Sequence, residues 1–233
     1  MRRLLLLFLI ISFSFAQDDN KAITILQGIN ANYSAIQDFT TEIKVDINLP
    51  GFRMPNKDVK YFYKAPDKSK IESKGFAFVP KDGILPFAEL VKRDSLKNLT
   101  ITEIIGDTVV ITLVDTFQNQ EAIMTLKVHE PSATIIQGSA SINNQNILTF
   151  HIHYISIHGI YLPDESAIDL LLPPDFKKIQ MLGTSPSQAK KFKEKIKDNK
   201  EWVDGKIHLK FSNYIVNQGL SDEIFEEAVE TVD

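Results

Sequence analysis

Residues 41–49 read Thr41-Glu42-Ile43-Lys44-Val45-Asp46-Ile47-Asn48-Leu49, and this alternation decides the fold class. Successive side chains of an extended chain point to opposite faces, so Ile43, Val45, Ile47 and Leu49 share one face and Glu42, Lys44, Asp46 and Asn48 the other. A strand that is apolar on one side and polar on the other belongs to an antiparallel sheet with one solvated face. Strands of parallel sheets, buried on both faces, read as continuous apolar runs.

The same period recurs along the chain. Val59, Tyr61 and Tyr63 alternate with Lys60 and Lys64; Leu148, Phe150, Ile152 and Tyr154 with Thr149, His151 and His153; Ile207, Leu209 and Phe211 with His208, Lys210 and Ser212. Turn signals separate these runs: Leu49-Pro50-Gly51, Ala65-Pro66-Asp67, Lys81-Asp82-Gly83, Ile105-Gly106-Asp107, Asn143-Asn144, Pro163-Asp164 and Pro173-Pro174. About nine or ten strands at such spacing make a large meander, near the size at which an open twisted sheet curls into a barrel or half-barrel. Helices must cover what the sheet leaves open. Residues 21–39 carry Ile25, Ile29, Tyr33 and Ile36 at spacings of three and four, one apolar helical stripe, and Pro86 to Arg93 puts Phe87, Leu90 and Val91 on one face.

Composition bounds the function. The chain has 233 residues, 43% hydrophobic and 24% charged, with 10 Gly and 10 Pro, which excludes collagen-like and disordered classes. With no Cys, it can form neither a disulfide nor a thiolate metal site nor a Cys nucleophile. Arg2 and Arg3, the apolar run Leu4 to Phe15 and the small-x-small Ser14-Phe15-Ala16 read as an export signal cleaved after Ala16, with Gln17-Asp18-Asp19-Asn20 ending the run. No Cys follows to take a lipid anchor, so the expected product is a soluble periplasmic protein. Cleavage there removes two of the 26 basic residues and none of the 30 acidic ones; an acidic exported chain is a poor match to nucleic acid.

No catalytic signature emerges. There is no G-x-S-x-G elbow and no glycine-rich phosphate loop. The neighbouring carboxylates Asp164-Glu165 and Glu226-Glu227 read as solvated charge, and His151, His153 and His158 as polar-face residues rather than metal ligands. The expectation is a non-enzyme with no cofactor and no metal. Asn32-Tyr33-Ser34 and Asn98-Leu99-Thr100 match an N-x-[ST] pattern that chance supplies freely.

The order of motifs resembles the periplasmic lipoprotein-carrier family typified by LolA. It rests on YFYKAPDKSKIES (61–73), KGFAFVP (74–80), LPFAELVKR (85–93), IIGDTVVITLVD (104–115), ATIIQGSASINNQNILTFHIHYI (133–155) and HGIYLPDESAIDLLLPPDF (158–176). The likeness spans Ile23 to Phe176; Lys70 and Ile71 stand where the family often has an Arg or an aromatic residue, and its Asp-Gly turn before the aromatic strand is absent. The resemblance implies a mainly β (α+β) fold, an unclosed antiparallel barrel or strongly curved sheet of about 9–11 strands with a helical lid. Its concave face would bind acyl chains of a lipoprotein or other lipid bound for the outer membrane. A monomer receiving cargo from an inner-membrane donor and yielding it to an outer-membrane acceptor is the implied pattern.

On that reading the cavity candidates are Ile43, Val45, Ile47, Tyr61, Tyr63, Phe76 and Phe78 from the first half of the chain. Met124, Leu126, Phe150, Ile152, Tyr154, Ile168 and Leu170 join them from the second, with Phe87, Leu90 and Val91 as the lid. The same apolar faces read equally as ordinary core. Each methylene removed from water is worth roughly 0.8 kcal/mol, so such a carrier must hand its cargo to a partner or membrane rather than release it into water. The alternative is an envelope interaction or sensor module that carries nothing.

Residues 177–233 extend past the family pattern. Ala189, Phe192 and Ile196 mark one side of a Lys-rich helix over 187–201, and Lys206 to Tyr214 forms a further strand, before an acidic end at Glu223 to Asp233. This extension, 177–233, is expected to pack on a single domain spanning 17–233, as an added layer.

Overall fold

The structure, a computed structural model, describes residues 21–50, 52–74, 99–117, 120–172 and 201–226. Among these residues a helix, α1 (described over residues 21–34), precedes a single sheet whose strands are β1 (Asp38–Leu49), β2 (Phe52–Lys64), β3 (Lys68–Glu72), β4 (Leu99–Ile105) and β5 (Thr108–Phe117). It continues with β6 (Gln120–His129), β7 (Thr134–Ile142), β8 (Gln145–Ile157), β9 (Ile160–Leu172) and β10 (Val203–Val216), and a 3-10 turn follows at Asp222–Phe225. Among the described residues no helix is long and apolar enough to cross a membrane.

The ten described strands run in the order β3-β2-β1-β10-β9-β8-β7-β6-β5-β4, and every pairing among them is antiparallel. The sheet is not closed into a barrel. Among the described residues its outermost strands are β3 and β4, while β10, the last described strand, sits inside the sheet between β1 and β9. Here the structure departs from the expected added layer: Ile207 pairs with both Ile47 and Ile168, so residues 203–216 complete the sheet instead of covering it.

Register aligns the apolar faces into rows. Ile101, Ile111, Leu126, Gly138, Phe150, Ile168, Ile207, Ile47 and Met54 are consecutive partners across nine strands. One hydrophobic cluster joins these rows to Ala22, Ile25, Leu26, Ile29, Tyr33 and Ile36 of α1 and its exit. Ten strands laid flat would span roughly 43 Å at about 4.8 Å per spacing, about twice the ~21 Å of the fourteen helical residues described, so these residues share a core with strands from both halves of the sheet most readily where it curls toward them. Bulges at Thr40/Glu42, Val45/Ile47, Ile101/Glu103, Lys127/Val128, Ala140/Ser141 and His153/Tyr154 add the twist that curling needs.

Two local expectations are corrected. Residues 21–39 are not one helix: β1 begins at Asp38, and Phe39 is a fully buried strand residue. The helix ends because a distant side chain finishes it. Asn217, just past β10, donates its Nδ2 to the Ala35 carbonyl at 3.0 Å and accepts from the amides of Gln37 and Asp38 at 2.8 and 3.3 Å. These bonds satisfy groups that a helix terminus leaves unpaired. Nor is Pro163-Asp164 a turn. Both lie within β9, where Tyr154 pairs with Pro163 and His153 with Glu165, leaving Asp164 as the extra residue of a bulge, a position that tolerates proline. The turn is at His158-Gly159, whose φ values of 52° and 81° are left-handed.

Candidate functional site

The two ends of the curled sheet differ. At one end α1 crosses the strand termini: Lys21 pairs with Glu130 at 3.4 Å beyond β6, and Asn32 bonds the Tyr161 backbone at the start of β9. This last contact replaces a missing neighbour. β9 and β10 pair only from Val203/Leu172 to Lys210/Glu165, so residues 160–164 lack a strand on that side. The Asn32 carboxamide meets both the N–H and the carbonyl of Tyr161, and the Tyr214 hydroxyl donates to the Pro163 carbonyl at 2.7 Å.

Phenols fill this closed end. The Tyr154 hydroxyl donates to the Ile135 carbonyl at 3.2 Å and is hydrogen-bonded to Tyr33. Burial pushes the Tyr33, Tyr154 and Tyr214 phenols above their ordinary range, so all three stay neutral donors. Phe39 packs against Tyr61, Tyr63 and Tyr214 at centroid distances of 5.4–5.7 Å. Their apolar rings and satisfied hydroxyls make a sealed wall.

At the opposite end the inner face is less covered. Leu113, Met124, Ala140, Leu148 and Leu170 are register partners on five successive strands, β5 to β9, and all are half-buried. Ile101 and Ile168 beside them are half-buried as well. Four strand spacings make this band roughly 19 Å long, with no polar side chain among its five partners. Chemically it can do one thing, which is to hide further apolar surface.

The fourteen cavity candidates therefore divide. Ile43, Val45, Ile47, Tyr61, Leu126, Phe150 and Ile152 are buried core. Met124 and Leu170 belong to the half-buried band, Ile168 adjoins it, and Tyr63 and Tyr154 lie at the helix-covered end. Phe76 and Phe78, the lid residues Phe87, Leu90 and Val91, the segment 1–16, the Lys81-Asp82-Gly83 turn and residues 187–200 of the Lys-rich helix lie outside the described residues.

Sequence reasoning left Leu113 and Leu148 out of the site. Leu148 stood in a clean alternation, but Leu113 follows Val109-Val110-Ile111, all three buried, where apolar residues on both faces erase the period-two signal. His151 and His153 are exposed on the polar face, His153 beside Asp164 at 3.2 Å, and no metal-holding group of three or more His, Asp or Glu occurs among the described residues.

No family model matches the chain, and no curated protein matches its sequence. Solved structures do resemble its fold. A DUF1329 family protein from Desulfovibrio piger superposes with a TM-score of 0.52 at 10% identity, over 90% of this chain and 97% of that one. A proposed outer membrane lipoprotein-sorting protein domain from Vibrio parahaemolyticus superposes with a TM-score of 0.51 at 10% identity, over 89% and 97%. At such identity the likeness is one of fold, and the fold it shows is the large, unclosed antiparallel sheet with a helix on its apolar face.

Proposed function

We propose that the protein is a periplasmic carrier that holds acyl chains of a lipoprotein or another lipid against the half-buried band of β5 to β9. The observation that carries the reading is the asymmetry of the inner face: sealed by α1 and its phenols at one end, half-covered along Leu113, Met124, Ala140, Leu148 and Leu170 at the other. The export-like segment over residues 1–16 and the fold shared with a lipoprotein-sorting domain support the same reading. Binding here is burial of methylenes, with no chemical step and no cofactor, and release needs an acceptor that buries the same chains.

A fluorescent fatty-acid probe tests it. Leu148→Asn and Leu170→Asn each remove apolar surface worth about 1–2 kcal/mol, so each weakens probe binding roughly tenfold. His151→Asn, on the opposite face of the Leu148 strand, leaves binding unchanged. Equal effects on the two faces, or no probe binding by the native chain, rejects the carrier. Phe150 and Ile152 are poorer test positions, because both are core residues whose loss costs folding first.

A further inference from the structure

The outer face of the sheet has its own concavity, a groove of about 950 Å3 over β2, β1 and β10. The alternation that buries Ile43, Val59 and Phe211 turns Glu42, Lys44, Lys60, Lys210 and Ser212 outward to line its floor. A bulge shapes one wall. Val45 pairs with Lys57 and Ile47 with Met54, so Pro55 and Asn56 together stand opposite the single residue Asp46, and Asn56 takes a left-handed φ of 46°. The Lys57 ammonium donates to the Lys74 carbonyl, which ties the chain beyond β3 to the middle of β2.

Among the described residues five lysines line this groove: Lys44, Lys57, Lys60, Lys74 and Lys210. Lys44 and Lys210 are direct cross-strand partners, a like-charge pairing that sheets ordinarily avoid. Three acidic residues, Glu42, Asp58 and Glu72, share the lining and Glu165 stands beside it, but most of these carboxylates have other partners. Glu42 accepts from Asn213 Nδ2 at 2.7 Å, Glu72 pairs with Lys70 at 3.5 Å, and Glu165, opposite Lys210, takes His208 at 2.6 Å. Only Asp58, opposite Lys44, has no such partner among the described residues. Other lysines are matched: Lys64 and Lys68 meet Asp222, and Lys206 meets Asp169. A cationic groove in a chain of formal net charge −4 is a local feature, not an overflow of basic composition.

We propose that this groove is an anion site for phosphate-bearing lipid headgroups, by which the outer face of β2, β1 and β10 docks on an anionic membrane surface. Compact ammonium groups on flexible stems suit phosphate oxygens, and a groove can surround a headgroup where a flat strand face could only touch it. The site lies on the face opposite the apolar band, so it stands or falls independently of acyl-chain binding.

Flotation of the full chain with phosphatidylcholine vesicles, with and without about one third phosphatidylglycerol, reads the site. The native protein is expected to bind only the anionic vesicles, less so as salt rises. Lys44→Gln with Lys210→Gln should weaken that binding about tenfold or more, since each basic group near an anionic membrane contributes on the order of one decade or less. Lys206→Gln with Lys127→Gln, an equal loss of charge outside the groove, should weaken it far less. Circular dichroism and the fatty-acid probe confirm that the variants fold and keep the inner face intact. Equal losses from the two double variants, or equal binding to neutral and anionic vesicles, would overturn the proposal. So would inorganic pyrophosphate shifting the amide resonances of Lys44 and Lys210 without any vesicle binding, because the groove would then serve a free anion.

Discussion

Gly138 shows how much a single hydrogen in place of a side chain decides. It lies in the buried row between Leu126 and Phe150, and a Cβ built there would stand 2.2 and 2.6 Å from two ring carbons of Phe150 and 3.0 Å from Leu126 Cδ2. The Phe150 ring therefore lies over the glycine backbone, filling the place of the missing side chain. Gly205 repeats the device, with Leu49 Cδ2 2.5 Å from its would-be Cβ. Gly138→Ala is expected to cost about 1–3 kcal/mol, the usual penalty of overpacking, which lowers the melting temperature by roughly 3–10 °C. The cause is checked by a cycle with Phe150→Leu: the alanine should cost much less once the ring is gone. A penalty of the same size in both backgrounds would mean that the ring contact does not set it.

At the scale of elements, the segment after β10 acts as a clasp. Asn217 finishes α1, the amides of Gln218 and Gly219 donate to the Asp38 carboxylate at 3.1 and 3.0 Å, and Lys64 reaches both the Leu220 carbonyl and Asp222. The helix exit, the start of β1 and the β2–β3 hairpin are thus fastened by the six residues from Asn217 to Asp222. Hydrogen bonds from Lys64 and then Lys68 hold the Asp222 carboxyl below its ordinary value of 3.8. A depressed carboxyl stabilises the folded state above the unfolded value, and that contribution is lost as the pH falls through the lower, folded value. Amide protection around residues 218–222, taken relative to the intrinsic exchange rate at each pH, should therefore fall below about pH 4 in the native chain, and Asp222→Asn should show the low protection at every pH. A variant with the native pH profile would remove Asp222 from the clasp. None of this was legible in sequence, because Asn217 lies 179 residues from Asp38 and both look like loop polar residues. The strands were legible wherever one face is wet, as at 41–49 and 207–211. They blurred where both faces are apolar, at Val109-Val110-Ile111, or where a proline sits in a bulge, at Pro163. The band on the inner face was legible only as a face, since which of its residues α1 leaves half-covered depends on where that helix crosses.

The molecule as a whole depends on its last strand. Local alternation identified residues 206–214 as a strand but carries no address, and the address is what matters: β10 joins the β1–β3 meander to the β4–β9 meander along both of its edges. Ile207, Leu209, Phe211 and Val216 are all buried in the common core. A chain ending at Leu172 would leave β1 and β9 with bare hydrogen-bonding edges and a core opened along its length, and such edges aggregate. Because β1 must wait for a partner 158 to 177 residues later, contacts this distant should also make folding slow and leave intermediates with an exposed β1 edge. The truncated chain is therefore expected to show no cooperative thermal transition and to aggregate. A synthetic peptide covering residues 201–226, which brings both the strand and the clasp, should restore a transition and solubility when added during refolding. Recovery with this peptide, and none with a version carrying Leu209→Asp and Phe211→Asp, would show that the strand's apolar face rather than mere chain length is required. A truncated chain that melts cooperatively at the native temperature without the peptide would mean that the two meanders hold together by themselves and that β10 is an accessory to a sheet already complete.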